Sequence, residues 1–229
     1  MGAHALARTR QRLKHVASTG HALNHLAHFV LAPENDAARM GTLLGDFARG
    51  TDLSDWPPEV EQAIRLHRRV DAFTDAHPVV LAAKGALPAI WRRYAGILLD
   101  VYFDHVLIND WARWHDAPLA AYASDAHASL ARIASALPEP ARDVCARMAE
   151  HAALTTCATP DGVARVLARI GARFKRPQPL ADALPALITA NDALTDAFEA
   201  FFPALRAEAR AYLAGSTLST RPPALSVSR

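Results

Sequence analysis

The chain has 229 residues, a formal charge of +2 at neutral pH and an apolar fraction of 51%. That apolar share supports one sizeable core and excludes a disordered chain, and so small a net charge does not announce a nucleic-acid-binding surface. The two cysteines, Cys145 and Cys157, form no CxxC or CxxH spacing, so they read as free thiols in a reducing cytoplasm rather than a disulfide framework. No apolar run reaches membrane-spanning length. Frequent alanine, with few β-branched and aromatic residues between the prolines, favours an all-α fold, a compact multi-helix bundle.

In chain order, residues 1–20 are basic (Arg8, Arg10, Arg12, Lys14) and lack the apolar segment of a signal peptide. They are expected to be a disordered arm, or the product of a start upstream of the true one. A single domain is expected over 21–213. Its first helix runs from His21 to Ala32, is stopped by Pro33, and carries Asn24 and His28 four apart. The second spans Asp36 to Ala48, with Gly50 as its C-terminal cap, and carries Asp46. The segment Ser54-Asp55-Trp56-Pro57-Pro58 starts a third helix that ends at His77, before Pro78. A short helix precedes Pro88. Then comes Gly96-Ile-Leu-Leu-Asp-Val-Tyr-Phe-Asp-His-Val-Leu-Ile108, apolar except at Asp100, Asp104 and His105, which reads as a buried helix. Helices near 118–136, 139–156, 160–173 and 180–213 read as scaffold, because their ionisable residues are scattered. Residues 214–229 read as a disordered tail.

The polar residues of the first half carry the chemistry. Asp100 and Asp104 share a helix face, where two like charges repel and burial without a partner is costly. His67, Asp71 and Asp75, at i, i+4 and i+8, stay within about a third of the helix circumference. With His28 and Asp46, four helices therefore offer imidazole or carboxylate groups, as helical bundles do when they build a metal site in their core. Mixed histidine and aspartate donors suit a hard or borderline divalent ion: manganese, magnesium, zinc or iron(II). Beside such a centre Arg49, Arg68, Arg69, Arg92 and Arg93 would clamp phosphate through their guanidinium forks. A metal with open positions next to arginines points to hydrolysis of a phosphate ester. A di-iron oxidase would need Glu-x-x-His pairs, which are absent.

Four segments in order, Asn24-His25-Leu26-Ala27-His28, Gly41 to Gly50, His67 to Pro78, and Arg93 to His105, resemble the acyl carrier protein phosphodiesterase family, which is similar to divergent HD-type phosphohydrolases. The resemblance implies an all-helical enzyme dependent on a divalent metal, typically manganese, with magnesium or iron(II) as substitutes. The implied reaction removes 4′-phosphopantetheine from holo-acyl carrier protein. It puts His28, Asp46, His67, Asp71 and Asp104 in the metal or catalytic set, with Asp75, Asp100 and His105 as partners around them. The expected metal ligands are thus His28, His67, Asp71, Asp100 and Asp104. Asp46, Asp75, His77 and His105 are expected to act in catalysis, His105 or His77 protonating the leaving serine. Arg49, Arg68, Arg69 and Arg93 are expected to hold phosphate, and Trp91, Tyr94 and Tyr102 to line a channel for the pantetheine arm. The acidic carrier protein is the expected partner, met by a rim of Arg49, Arg65 and Arg92, with no nucleic acid and no membrane involved. Two other readings stand beside this one: an HD-type phosphohydrolase of a nucleotide or small phosphate ester, and a non-enzymatic module that binds an acidic protein. The extra residues before Asn24, and His25 where an apolar residue is common, depart from the family pattern.

Overall fold

A computed structural model describes residues 25–48, 52–150 and 153–219. Among these there is no strand. The helices are α1 (His25–Leu31), α2 (Asp36–Gly45), α3 (Pro58–Ala76), α4 (Pro78–Ala86), α5 (Ala95–Asn109), α6 (Trp111–Trp114), α7 (Leu119–Ile133), α8 (Glu139–Glu150), α9 (Pro160–Ala172), α10 (Leu184–Thr189) and α11 (Asn191–Ser219). Short 3-10 turns join several of them. No described helix is long and apolar enough to cross a membrane.

The boundaries follow local chemistry. The Asn35 side chain accepts the Ala38 N–H at 2.9 Å and starts α2. Pro58 and Pro78 begin α3 and α4, where a missing N–H costs nothing. Thr159 accepts the Gly162 N–H at 3.2 Å and starts α9. Several expected boundaries change, among them those near 118–136 and 139–156, where α7 ends at Ile133 and α8 at Glu150 with 3-10 turns at Ala134–Ala136 and Ala153–Ala158. The second helix ends at Gly45 rather than Ala48: the Leu44 carbonyl accepts the N–H of both Phe47 and Ala48 at 2.9 Å, a tightened last turn. Asp46 is its C-cap and keeps right-handed helical backbone, φ −69° and ψ −27°. The expected helix over 180–213 is broken into a 3-10 turn, α10 and α11, with Pro185 restarting the chain as a new helix. The last helix also continues to Ser219, past residue 213; one glycine there, Gly215, costs about 1 kcal/mol and does not stop a helix.

The stretch from Gly96 to Ile108 lies within α5, which is buried on nearly every side. Helices α2 and α3 form the closest pair. A Cβ on Gly41 would come within 2.4 Å of the Val60 carbonyl oxygen, and one on Gly45 within 2.3 Å of the His67 ring. The two helices approach at a distance that only glycine allows. Helix α11 lies across α1, α3, α4 and α5 and buries Phe198, Phe201, Phe202 and Leu205. Its spacing of those four residues is the stripe of a core-facing helix.

Polar links tie α2 to α7. Arg39, 2% exposed, donates to the Asp125 carboxylate at 2.7 Å and to its carbonyl at 3.2 Å. Asp36 accepts from the Ser129 hydroxyl at 2.6 Å and from Arg132 at 2.8 and 2.9 Å. The bonds from Arg132, then that from Ser129, lower the Asp36 carboxyl from 3.8 to about 2. A depressed carboxyl contributes stability above its unfolded value and loses it as pH falls. Asp36→Asn is therefore expected to lower Tm at pH 6 by no more than about 4 °C, the pair being half exposed. The difference should shrink as pH falls from 3.8 towards about 2. Calorimetry of the two proteins across that range checks it.

Candidate functional site

Three elements meet at one cavity. Helix α1 supplies His28, the turn after α2 supplies Asp46, and the inner face of α3 supplies His67 and Asp71. The Nε2 of His28 lies 3.2 Å from Asp71 Oδ1, and the Nε2 of His67 lies 3.4 Å from Asp71 Oδ2. His67 Nε2 is also 3.5 Å from Asp46 Oδ1. The two imidazoles stack, centroids 4.0 Å apart and planes within 14°. Val70, Thr74, Asp75 and Asp100 line the same cavity, and Phe103, Phe198, Phe201, Phe202 and Leu205 close its apolar side.

The electrostatics are divided between the two rings. Burial disfavours charge on His67, but the Asp46 and Asp71 carboxylates outweigh it and raise its pKa to about 9. Burial and the neighbouring His67 charge lower His28, so that ring is neutral. Burial would raise Asp46 and Asp71, yet their bonds to the imidazoles hold both below the ordinary carboxylate range. Two carboxylates against one imidazolium leave a net negative cluster.

That cluster fits a divalent cation. His28, His67 and Asp71 each offer a donor atom, all within 4.8 Å of one another. Asp46 Oδ2 is buried with no hydrogen-bond partner, a costly state that a nearby cation would relieve. Imidazole nitrogen with carboxylate oxygen is the donor set of borderline and hard divalent ions.

Other expected site residues lie elsewhere. Asp100 and Asp75 reach the cavity wall, but Asp75 is exposed and pairs with Lys84 at 2.8 Å. Asp104 is in neither the three-donor cluster nor the first cavity. It is buried one turn further along α5, accepts the backbone N–H of Ala27 in the first turn of α1, and borders a second cavity. Burial, with a smaller contribution from Asp100, raises its pKa well above the ordinary carboxylate range. His105 Nδ1 lies 2.7 Å from the Cys157 carbonyl, to which it donates, and the ring does not line the cavity. His77 caps the C-terminal end of α3 and packs on Phe73 and Phe201. Arg68 donates to the Ala48 carbonyl. Arg69 is bound to Glu208 at 2.5 Å, and Arg93 lies over the Tyr94 ring. None of these three arginines lines the cavity. Arg49 lies outside the described residues, as does Asn24.

The expected aromatic channel is also replaced. The hydroxyl of Tyr94 donates to Gln178 at 2.5 Å, and Tyr102 is held at Asn191 at 2.9 Å. Neither they nor Trp91 line the cavity. The phenylalanines of α11 do so, contributed by the half of the chain read as scaffold. Their signal was present as Phe198, Phe201, Phe202 and Leu205, but such a stripe ordinarily means core. Gly41 and Gly45 were overlooked as positioning residues, although a four-residue glycine spacing beside Asp46 marks close helix approach.

Fold and cluster together define an all-helical protein with a buried histidine–aspartate centre able to hold a metal ion. Comparison with known proteins narrows the class. The family model described as acyl carrier protein phosphodiesterase matches residues 23–205. Proteins named acyl carrier protein phosphodiesterase from Salmonella agona (strain SL483) and Salmonella newport (strain SL254) are each 35% identical over 188 residues, covering 82% of this chain and 97% of theirs. No solved structure matches. The chain belongs to the acyl carrier protein phosphodiesterase family.

Two glycine substitutions test the closeness on which the site depends. Gly45→Ala drives a methyl into His67 and is expected to cost about 1–3 kcal/mol. Gly85→Ala, in α4, meets nothing within 4 Å and is expected to stabilise by up to about 1 kcal/mol through helix propensity. Opposite shifts of the denaturation midpoint are the expected result.

Proposed function

We propose that this protein hydrolyses the phosphodiester joining 4′-phosphopantetheine to a serine of holo-acyl carrier protein, releasing 4′-phosphopantetheine and the apo protein. The observation that carries the reading is the convergence of His28, His67 and Asp71, with Asp46 behind His67, in a chain of this family. The same cluster supports the HD-type likeness.

We infer that His28, His67 and Asp71 hold the cation, manganese first, with magnesium or iron(II) as substitutes. When bound, the ion supplies a water of lowered pKa and neutralises charge on the phosphoryl oxygens. Asp71 meets the Nε2 of both imidazoles, and Asp46 meets His67 at that same Nε2. We assign the proton for the departing serine alkoxide to Asp100, which lines the cavity outside the cluster, whereas Asp75 is held by Lys84. His77 and His105 do not line it. The phenylalanine wall excludes water and offers apolar contact to the pantetheine arm. Arg92 and Arg93 are exposed and suit the surface of an acidic carrier, with a salt-sensitive on-rate. Buried free thiols at Cys145 and Cys157 support a cytoplasmic setting.

The test is mass spectrometry of holo-acyl carrier protein after incubation with the enzyme and Mn2+. The carrier is expected to lose its phosphopantetheine, and Asp71→Asn to slow that loss by at least about 10²-fold. An unchanged carrier mass, with a nucleotide hydrolysed instead under the same conditions, would favour the small phosphate-ester reading.

A further inference from the structure

A second cavity, ≈ 500 Å³, lies on the other side of α1 and α5 from the histidine–aspartate cluster and shares only His25 with the first. Its volume is within the range of small-molecule sites, about 300–1,000 Å³. Val144, Met148, Leu154 and Val166 give it apolar walls from α8, the 3-10 turn at Ala153–Ala158, and α9. Its charged lining is one-signed at the surface. Arg147, Arg169 and Arg173 border it, all three exposed. None of them is in an ion pair among the described residues, whereas Arg39, Arg65, Arg69, Arg113, Arg132 and Arg142 each are. Arg173 lies close enough to the other two for partial burial of its head group, then the charges of Arg147 and Arg169, to lower its pKa. The carboxyl in the lining, Asp104, is buried beneath α1 and engaged with the Ala27 N–H.

We propose that this cavity binds an anionic amphiphile of the fatty-acid class, its carboxylate held by Arg147, Arg169 and Arg173 and its single alkyl chain against Val144, Met148, Leu154 and Val166. Three arginines around one cavity repel one another and are relieved when an anion joins them, and guanidinium groups bind carboxylate with two parallel bonds. A bare inorganic anion would satisfy the arginines and leave the apolar walls wet. A neutral alkyl chain would fill the walls and leave the charges unanswered. Only a ligand with both parts meets both demands. This site is separate from the proposed hydrolytic centre, and its test does not depend on that centre being active.

The probe is dodecanoate, titrated calorimetrically into the full-length protein below its micelle concentration, with dodecanol and inorganic phosphate as comparisons. Dodecanoate is expected to bind saturably, and dodecanol and phosphate about tenfold more weakly or worse. The Arg169→Gln/Arg173→Gln protein, altered only at exposed positions, should lose about tenfold in dodecanoate affinity and keep its affinity for dodecanol. His28→Ala should leave dodecanoate binding unchanged. The proposal is overturned by an absence of saturable binding, by equal affinities for dodecanoate and dodecanol, by indifference to the arginine substitutions, or by loss of binding in His28→Ala, which would put the ligand in the first cavity.

Discussion

The contact on which the rest depends is the approach of α2 to α3. At Gly41 and Gly45 there is room for hydrogen and nothing larger: the Val60 carbonyl lies against one and the His67 ring against the other. This approach brings the turn after α2 beside the middle of α3. Asp46 then stands 3.5 Å from His67 without having to reach. As the C-cap, Asp46 keeps helical backbone, so its carboxylate follows one residue after Gly45 on the face turned to α3. Backbone packing, rather than side-chain length, therefore sets the geometry of the centre.

Charge is partly compensated at this contact. His67 and Asp46 are buried and Asp71 is about one-third exposed, so the ionised groups that are withdrawn from water are paired. Until an ion binds, His67 is the cation beside Asp46 and Asp71, and its extra proton must leave when the ring takes an ion; the stacked His28 is held neutral by burial and by the positive ring 4.0 Å away. The net charge that remains is negative and points at a small cavity. A divalent ion is the ordinary answer to such a site. The phenylalanine wall from α11 keeps its surroundings dry, which strengthens every electrostatic interaction inside.

Much of this was legible in the order of residues. The all-helical bundle followed from alanine content and proline punctuation. The pairing of His67 with Asp71 followed from helical spacing, and the contributions of His28 and Asp46 from recurring polar residues on neighbouring apolar helices. What misled was α5. Asp100 and Asp104 share a face by spacing, and sequence alone cannot say that the helix lies between two cavities. Four residues advance a helix by about 6 Å, enough for Asp100 to border the first cavity while Asp104 meets the start of α1 and borders the second. The aromatic wall was hidden for the opposite reason: an i, i+3, i+4, i+7 stripe looks the same whether it faces packed side chains or a cavity. Long-range arginine pairing, such as Arg69 with Glu208, has no local signature at all.

The central claim is that one metal centre is assembled from α1 and α3, with Asp104 outside it. Manganese titration followed by electron paramagnetic resonance tests it directly, on the full chain and on His28→Ala and Asp104→Asn. The account predicts that the unaltered chain and Asp104→Asn bind manganese alike, and that His28→Ala binds it far more weakly. Manganese retained in full by His28→Ala and lost by Asp104→Asn would contradict it.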